Sequence, residues 1–162
     1  PPPPPPPPHF FFQAHDGIRH VERSRWLGDV YKRQGTIRPK PKDSLPKRLN
    51  YLFEEVNKIL DQFSPDVLAI EDAFYSNNVK SAMILGQARG CIILAASQAD
   101  ILIYEFAPRK VKMSVCGNGA ASKEQVSYMV TKILKLEKAP KPHDVSDAMA
   151  VGLCYINQSR IL

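Results

Sequence analysis

A wholly apolar run of four residues, placed directly after an amphipathic helix pattern, constrains the fold of this chain more than any other feature. The apolar residues before it recur at spacings of four and three, which is typical of one helix face. That predicted face consists of Leu45, Leu49, Leu52, Val56, Ile59 and Phe63. After the break at Ser64–Asp66, the run Val67–Ile70 predicts a strand that is covered on both sides, because it has no polar position.

The rest of the chain repeats this alternation of helical and extended segments. A strand tail is predicted at Gly35–Arg38 and a second strand at Ile101–Phe106. The further predicted helices are Val79–Ser97, Pro108–Val115, Ser122–Leu136 (with a capping box formed by Ser122 and Gln125) and His143–Gln158. The resulting order, β-α-β-α-β-α-α-α, predicts an α/β layer fold with a partly parallel sheet.

Composition narrows the class of protein without naming a function. The 162 residues, 44% of them apolar, suffice for one domain with a core. No apolar run approaches the ~18 residues of a membrane-spanning helix, and no signal peptide is recognisable. The three cysteines are scattered in no metal-binding spacing, which predicts reduced core thiols and a cytoplasmic protein. A net charge of +6 favours a polyanionic partner only modestly, because such an excess is common.

The first 34 residues do not follow the pattern of a folded domain. Pro1–Pro8 would form an extended polyproline helix without a core, and the apolar residues after it keep no period. The stretch FFFQAHDGIRHVERSRWLGDVYKRQ closely resembles sequencing-adapter DNA translated by accident. We therefore interpret residues 1–34 as a non-native, disordered segment and expect the domain to comprise residues 35–162, truncated at its N-terminus. A natural proline-rich linker is the alternative.

Three carboxylates are the candidate catalytic residues. Glu71 directly follows the predicted strand, and an acid there lies at the carboxyl edge of the sheet, where open α/β folds place their sites. Asp144 and Asp147 share one face of the last helix. Acids in this arrangement predict ligands for divalent metals. The alternatives are a solvated strand end for Glu71 and a helix cap or helix-dipole role for Asp144; His143 is either a partner of these acids or solvent-exposed.

Four motifs in this order resemble the RuvC family of Holliday-junction resolvases. They are AIEDAF at Ala69–Phe74, LGQARG at Leu85–Gly90, VCGNG at Val115–Gly119 together with Lys123, and DVSDA at Asp144–Ala148. The resemblance extends from about Gly35 to Leu162. No glycine-rich phosphate loop is present, which disfavours nucleotide binding.

The resemblance implies a ribonuclease-H-like fold, with a mixed five-stranded sheet flanked by helices. It implies a bacterial, nucleoid-associated homodimer that works with the branch-migration proteins RuvA and RuvB. In recombination and repair, such a dimer nicks two opposed strands of a four-way DNA junction with two Mg²⁺ ions per site, for which Mn²⁺ can substitute. Carried over to this sequence, Glu71, Asp144 and Asp147 are three of the family's four catalytic, metal-binding acids.

The resemblance also implies residues that contact DNA. Phe74 matches an aromatic that stacks on a base near the centre of the junction, with a core phenylalanine as the alternative. Lys112 and Lys123 match basic residues near the scissile phosphate. Together with Arg109 and Lys110 they predict a phosphate-facing patch, although a single lysine is more often only solvated.

The sequence departs from the family at its start. The family's first strand ends in isoleucine–aspartate–proline–glycine, whose aspartate is the fourth ligand, and no such string occurs here. Asp29 is rejected as a substitute, because too few residues separate it from Gly35 for the family's hairpin. We therefore expect weak metal binding, little or no activity and an incomplete fold. A junction-binding dimer without catalysis is the main alternative, and a ribonuclease-H-like nuclease acting on RNA is a weaker one.

Overall fold

The computed structural model describes residues 36–72 and 79–159. The elements in these ranges are α1 (Leu45–Phe63), β1 (Val67–Glu71), α2 (Val79–Gln98), β2 (Leu102–Phe106), α3 (Pro108–Cys116), α4 (Lys123–Ile133) and α5 (His143–Ser159). The predicted helices and the two later strands are therefore confirmed, with bounds that differ by at most a few residues. The strand tail predicted at Gly35–Arg38 is wrong for residues 36–38, which have no regular structure.

The two described strands pair in parallel and are connected through α2. Val67 pairs with Leu102, and the register continues to Glu71 opposite Phe106. The inner residues of β1 are buried, which confirms that this strand is covered on both faces. The other strands of the predicted five-stranded sheet do not lie within the described residues, whose sheet has these two strands.

Helices α1 and α2 cover one face of the sheet. Helix α1 begins after Ser44 with a proline in its first turn and ends at Ser64, which adopts the left-handed conformation. Its buried residues are Leu52, Val56 and Leu60. The predicted face is therefore correct in its middle but misses Leu60, because the buried residues recur every four positions instead of alternating between three and four. The whole cluster on this side also contains Ile37, Leu68, Ile70, Ile92, Ala95 and Ala96.

Helices α3, α4 and α5 cover the opposite face. Ala69 of β1 and Phe106 of β2 join this second cluster, in which Met149, Ala150 and Cys154 are buried almost completely. Nearly every position of α5 between Val145 and Cys154 is buried, as is expected of a helix packed on several sides. Leu68 and Ile70 belong to the first cluster and Ala69 to the second, so the side chains of β1 alternate between the two layers.

Helix α2 is unusual because much of its apolar surface stays exposed. Ile92, Ala95 and Ala96 are buried, whereas Val79 and Met83 are largely exposed. By length and composition alone it is the one described helix that is apolar enough to cross a membrane. This is weak evidence for a membrane span, because core helices of soluble proteins pass the same test. Gly86 and Gly90 leave open space on this helix, since a side-chain carbon at either position would meet nothing within 4 Å among the described residues.

Candidate active site

Glu71 is placed at the carboxyl end of β1, as predicted. It pairs with Phe106 and is half-buried. Because residue 71 stands two positions after Ala69, alternation directs its side chain to the layer formed by α3, α4 and α5. Helix α5 packs directly against β1 on that side. Glu71 therefore faces the layer that carries the other two predicted acids.

Asp144 and Asp147 lie one turn apart at the start of α5, and both are half-buried. The helix begins at His143, so Asp144 lies inside the first turn and the capping alternative for it is wrong. A negative charge in this turn is still favoured by the helix dipole. The hydroxyl of buried Ser146 donates to the carbonyl of His143 at 2.7 Å, which fixes the helix start between the two acids. The His143 side chain itself is exposed, in agreement with the solvent-exposed alternative.

The carboxylate of Asp147 is paired with the ammonium group of Lys123. The two groups are 3.4 Å apart, Asp147 being only 15% exposed and Lys123 54% exposed. Burial raises the pKa of Asp147 above its usual value, the positive charge of Lys123 lowers it, and the neighbouring Asp144 raises it again. Two acids and one cation thus form a single electrostatic unit at the start of α5.

Lys123 reaches this position because α4 is firmly capped. The hydroxyl of Ser122 accepts from the Gln125 amide at 3.3 Å, and the Gln125 side chain accepts from the Ser122 amide at 2.8 Å. The predicted capping box is therefore confirmed. Since Lys123 is the first residue of α4, this cap determines where its side chain starts.

The turn before α4 connects this unit to the basic helix α3. Gly117 ends α3 in the left-handed conformation with φ of 67°. A side-chain carbon at Gly119 would lie 2.7 Å from Cγ of Arg109, so the turn packs closely on that arginine. Lys123 follows Gly119 by four residues, which limits the distance between their Cα atoms to about 15 Å. Arg109 is exposed and Lys112 half-buried, so these predicted basic residues lie at the surface of α3.

The donor chemistry of the site suits a hard divalent cation, but the arrangement is open. Carboxylate oxygens are the ligands that Mg²⁺ prefers. Within residues 36–72 and 79–159, however, no three His, Cys, Asp or Glu side chains come close enough together to hold one ion. The structure thus gathers Asp144, Asp147 and Lys123, and it leaves Glu71 at the sheet edge outside such a cluster. Phe74 lies outside the described residues.

Comparison with known proteins decides the family. A family model described as "Crossover junction endodeoxyribonuclease RuvC" matches residues 22–155. The chain belongs to the RuvC family. The match begins within the segment predicted to be non-native, and the boundary after residue 34 stays a prediction.

Relatives of the same description support this membership. The RuvC endonuclease of Natranaerobius thermophilus is 44% identical over 127 residues, which cover 78% of this chain and 79% of that protein. The one from Proteus mirabilis is 46% identical over 132 residues, covering 80% of this chain and 75% of that protein. This RuvC family member is thus an endodeoxyribonuclease by kinship, which confirms the predicted enzyme class.

Solved structures give the same fold. The Thermus thermophilus RuvC structure has a TM-score of 0.70 at 29% identity, covering 80% of this chain and 77% of that one. The complex of T. thermophilus RuvC with a Holliday junction substrate has a TM-score of 0.74 at 31% identity, covering 78% of each chain. The predicted α/β, ribonuclease-H-like fold class is therefore confirmed for this RuvC family member.

Sequence reasoning missed one charged network beside the site. Arg89 of α2 pairs with Asp72, which follows Glu71, and with Glu105 of β2. Arg89 and Asp72 both belong to the family motifs, but their pairing was not predicted. The available signal was a lone arginine in the middle of an apolar helix, because a buried cation requires carboxylates nearby.

Proposed function

We propose that this chain is a junction-selective endonuclease of impaired activity, which binds four-way DNA junctions and nicks two opposed strands symmetrically but slowly, by Mg²⁺-dependent hydrolysis, in recombination and repair. The observation that carries the proposal is the grouping of Asp144, Asp147 and Lys123 at the start of α5 in a RuvC family chain. A relative of 31% identity was solved with a Holliday junction substrate, which supports this choice of substrate. RuvA and RuvB are proposed as partners on the family resemblance alone.

Glu71, Asp144 and Asp147 are the proposed metal ligands and catalytic acids, with two Mg²⁺ ions per site and Mn²⁺ as a substitute. When bound, such a pair would supply an activated water for in-line attack and would neutralise the charge on the leaving oxygen. The side chains themselves contribute negative charge and orientation. Burial raises the pKa of Asp147 and the charge of Lys123 lowers it, so Lys123 favours the anionic form that a metal ligand needs.

Basic residues of α3 and α4 are the proposed DNA contacts. Arg109 and Lys123 are exposed and Lys112 is half-buried at the surface, where each is available to a phosphate. Contacts of this kind position the duplex and make affinity depend on salt. Phe74 is proposed to stack on a base at the junction centre, an interaction worth about 1–3 kcal/mol.

We propose further that two copies assemble through α2. Val79, Met83 and Leu94 are respectively 77%, 62% and 52% exposed, and they follow one another at helical spacing with Gly86 and Gly90. Side-chain carbons built at both glycines meet nothing within 4 Å, so another backbone has room to approach. A continuous apolar stripe of this kind is typical of a protein–protein interface. In a homodimer, α2 of the second copy would cover this stripe.

Junction binding without catalysis is the second candidate function. The family resemblance implies four acids, and the isoleucine–aspartate–proline–glycine string that carries the fourth does not occur in this sequence. The described acids also form no closed three-ligand group. We therefore propose that this chain binds junctions selectively but nicks them slowly or not at all.

The test is gel-resolved binding and cleavage of a synthetic four-way junction beside a duplex of equal length, with Mg²⁺, with Mn²⁺ and with EDTA. We expect tighter binding of the junction, with weak or absent paired nicks. Any nicks should disappear in Asp147→Asn and persist in Lys58→Gln, which removes an exposed ion pair on α1. Rapid symmetric nicking would refute the proposed impairment, and equal affinity for junction and duplex would refute the proposed substrate.

A further inference from the structure

Arg89 is a charged residue that the proposed chemistry does not use. It stands in the middle of the apolar helix α2, and its side chain is only 17% exposed. Placing a guanidinium in such a position is costly unless carboxylates compensate it. Its guanidinium lies 3.5 Å from Oδ1 of Asp72 and pairs more closely with Glu105.

The three residues meet at the carboxyl ends of both strands. Glu105 pairs with Ile70, and Phe106 pairs with Glu71. The Asp72 amide donates to the Phe106 carbonyl at 2.8 Å, so the strands remain tied one residue beyond the end of β1. Arg89 thus connects α2 to both strands near their carboxyl ends.

The alternation of side chains separates this network from the acids by the thickness of the sheet. Ile70 and Ile103 pack in the layer of α1 and α2, which places Asp72 and Glu105 on that side with Arg89. Glu71 points the opposite way, with Ala69. Arg89 therefore contacts Asp72 from the face of the sheet opposite to Glu71. Because residues 71 and 72 are neighbours in the chain, the position of Asp72 constrains the backbone that directs the Glu71 side chain.

The environment of one Asp72 oxygen favours a nearby cation. Its Oδ1 atom is buried and accepts no hydrogen bond from the described residues. The charge of Arg89 is what offsets the burial of this oxygen. The Asp72 side chain as a whole is 35% exposed, but a change of Arg89 to a neutral residue would leave its buried Oδ1 atom without the nearby cation, which would disfavour the present position of residue 72.

We propose that Arg89 is a positioning residue, which fixes the carboxylate of Glu71 by pairing with Asp72 and Glu105 on the far side of the sheet. The inference rests on the proposed role of Glu71 as a metal ligand. Residues that hydrogen-bond directly to a metal ligand typically change metal affinity or activity about 10–100-fold when they are mutated, and Arg89, which acts through the backbone, should fall at the lower end of that range. Arg89 itself contacts neither metal nor DNA.

The experiment compares the full chain with Arg89→Gln, Arg89→Lys and Glu71→Gln. Free Mn²⁺, followed by its paramagnetic resonance signal, gives the dissociation constant of the bound ion. Hydrogen exchange reports on the Asp72 amide, and junction affinity is measured in EDTA. We expect Arg89→Gln to weaken Mn²⁺ binding about 10-fold and to speed exchange at Asp72, with junction affinity unchanged. Arg89→Lys should restore part of both, since it keeps the charge without the two-pronged geometry.

The outcomes separate this inference from the proposed function. If Glu71→Gln weakens Mn²⁺ binding and Arg89→Gln does not, the positioning role is wrong and the role of Glu71 stands. If Glu71→Gln has no effect on Mn²⁺, the proposed ligand role fails and the inference fails with it. A loss of junction affinity in EDTA for Arg89→Gln would make Arg89 a DNA contact and overturn the inference. The exposed pair of Lys58 and Glu55 supplies the control, because Lys58→Gln should change none of these quantities.

Discussion

The ion pair between Lys123 and Asp147 determines the charge balance at the start of α5. The neighbouring Asp144 disfavours the charged form of Asp147, as burial does, and Lys123 is the main opposing influence on its pKa. We expect Lys123→Gln to lower the free energy of unfolding by about 1 kcal/mol at pH 7, a modest loss because Lys123 is largely exposed and screened. Urea unfolding in EDTA measures this change.

The effect should depend on pH in a defined direction. Since folding raises the pKa of Asp147, its protonated form contributes stability at acid pH, and this contribution is lost as pH rises through the unfolded value of about 3.9 towards the higher folded value. Lys123 offsets that loss only while Asp147 is charged. The difference between wild type and Lys123→Gln should therefore shrink as the pH falls towards 4, and an equal difference at both pH values would contradict the pairing.

At the same scale, residue types and spacing predicted the acids but not what surrounds them. The spacing of Asp144 and Asp147 places them on one helix face wherever the helix lies, because that relation is local. The contacts from Lys123 to Asp147 and from Arg89 to Asp72 join different elements. Such pairs depend on how the layers pack, which no local pattern specifies.

Among the elements, α4 shows how a cap supports a site residue. The reciprocal bonds between Ser122 and Gln125 fix the first turn, and Lys123 begins that turn. We expect Ser122→Ala to cost about 1 kcal/mol of stability, and Ser122→Gly only a few tenths, because glycine exposes the free helix amides to water. Thermal unfolding of both variants measures the difference. Equal losses for alanine and glycine would show that the serine does not act as a cap.

The helices and strands themselves were predictable because their patterns are local. The periodicity of α1 and the apolar run of β1 each required only a few neighbouring residues, and both elements form as expected. The burial of Leu60 was not predicted, since the side of α1 that faces the sheet depends on the packing angle. The open space at Gly86 and Gly90 of α2 leaves room for another helix, and no local pattern specifies which helix would occupy it.

For the whole molecule, the sheet divides the core into two parts with different tasks. One side consists of α3, α4 and α5, which carry Asp144, Asp147 and the basic residues. The other, with α1 and α2, holds the Arg89 network and carries the exposed stripe of α2 on its outer surface. An assembly through that stripe would leave the acidic face of each copy open to DNA, because the two surfaces lie on opposite sides of the sheet.

This arrangement predicts that one substitution on α2 separates the copies without harming the fold. We expect Met83→Glu to weaken dimerisation at least about 10-fold, or 1.4 kcal/mol, because the new charge would be buried against the apolar stripe of the partner. The matched control is Met113→Glu, which places the same charge at a methionine that is 51% exposed on α3. Sedimentation equilibrium over a range of concentrations measures the dimer dissociation constants of both variants, and thermal unfolding confirms that each variant is folded.

A monomeric wild type, or equal dissociation constants for wild type and Met83→Glu, would exclude α2 as the interface. Since the stripe is separated from the acids, a monomeric Met83→Glu should still bind Mn²⁺ as the wild type does.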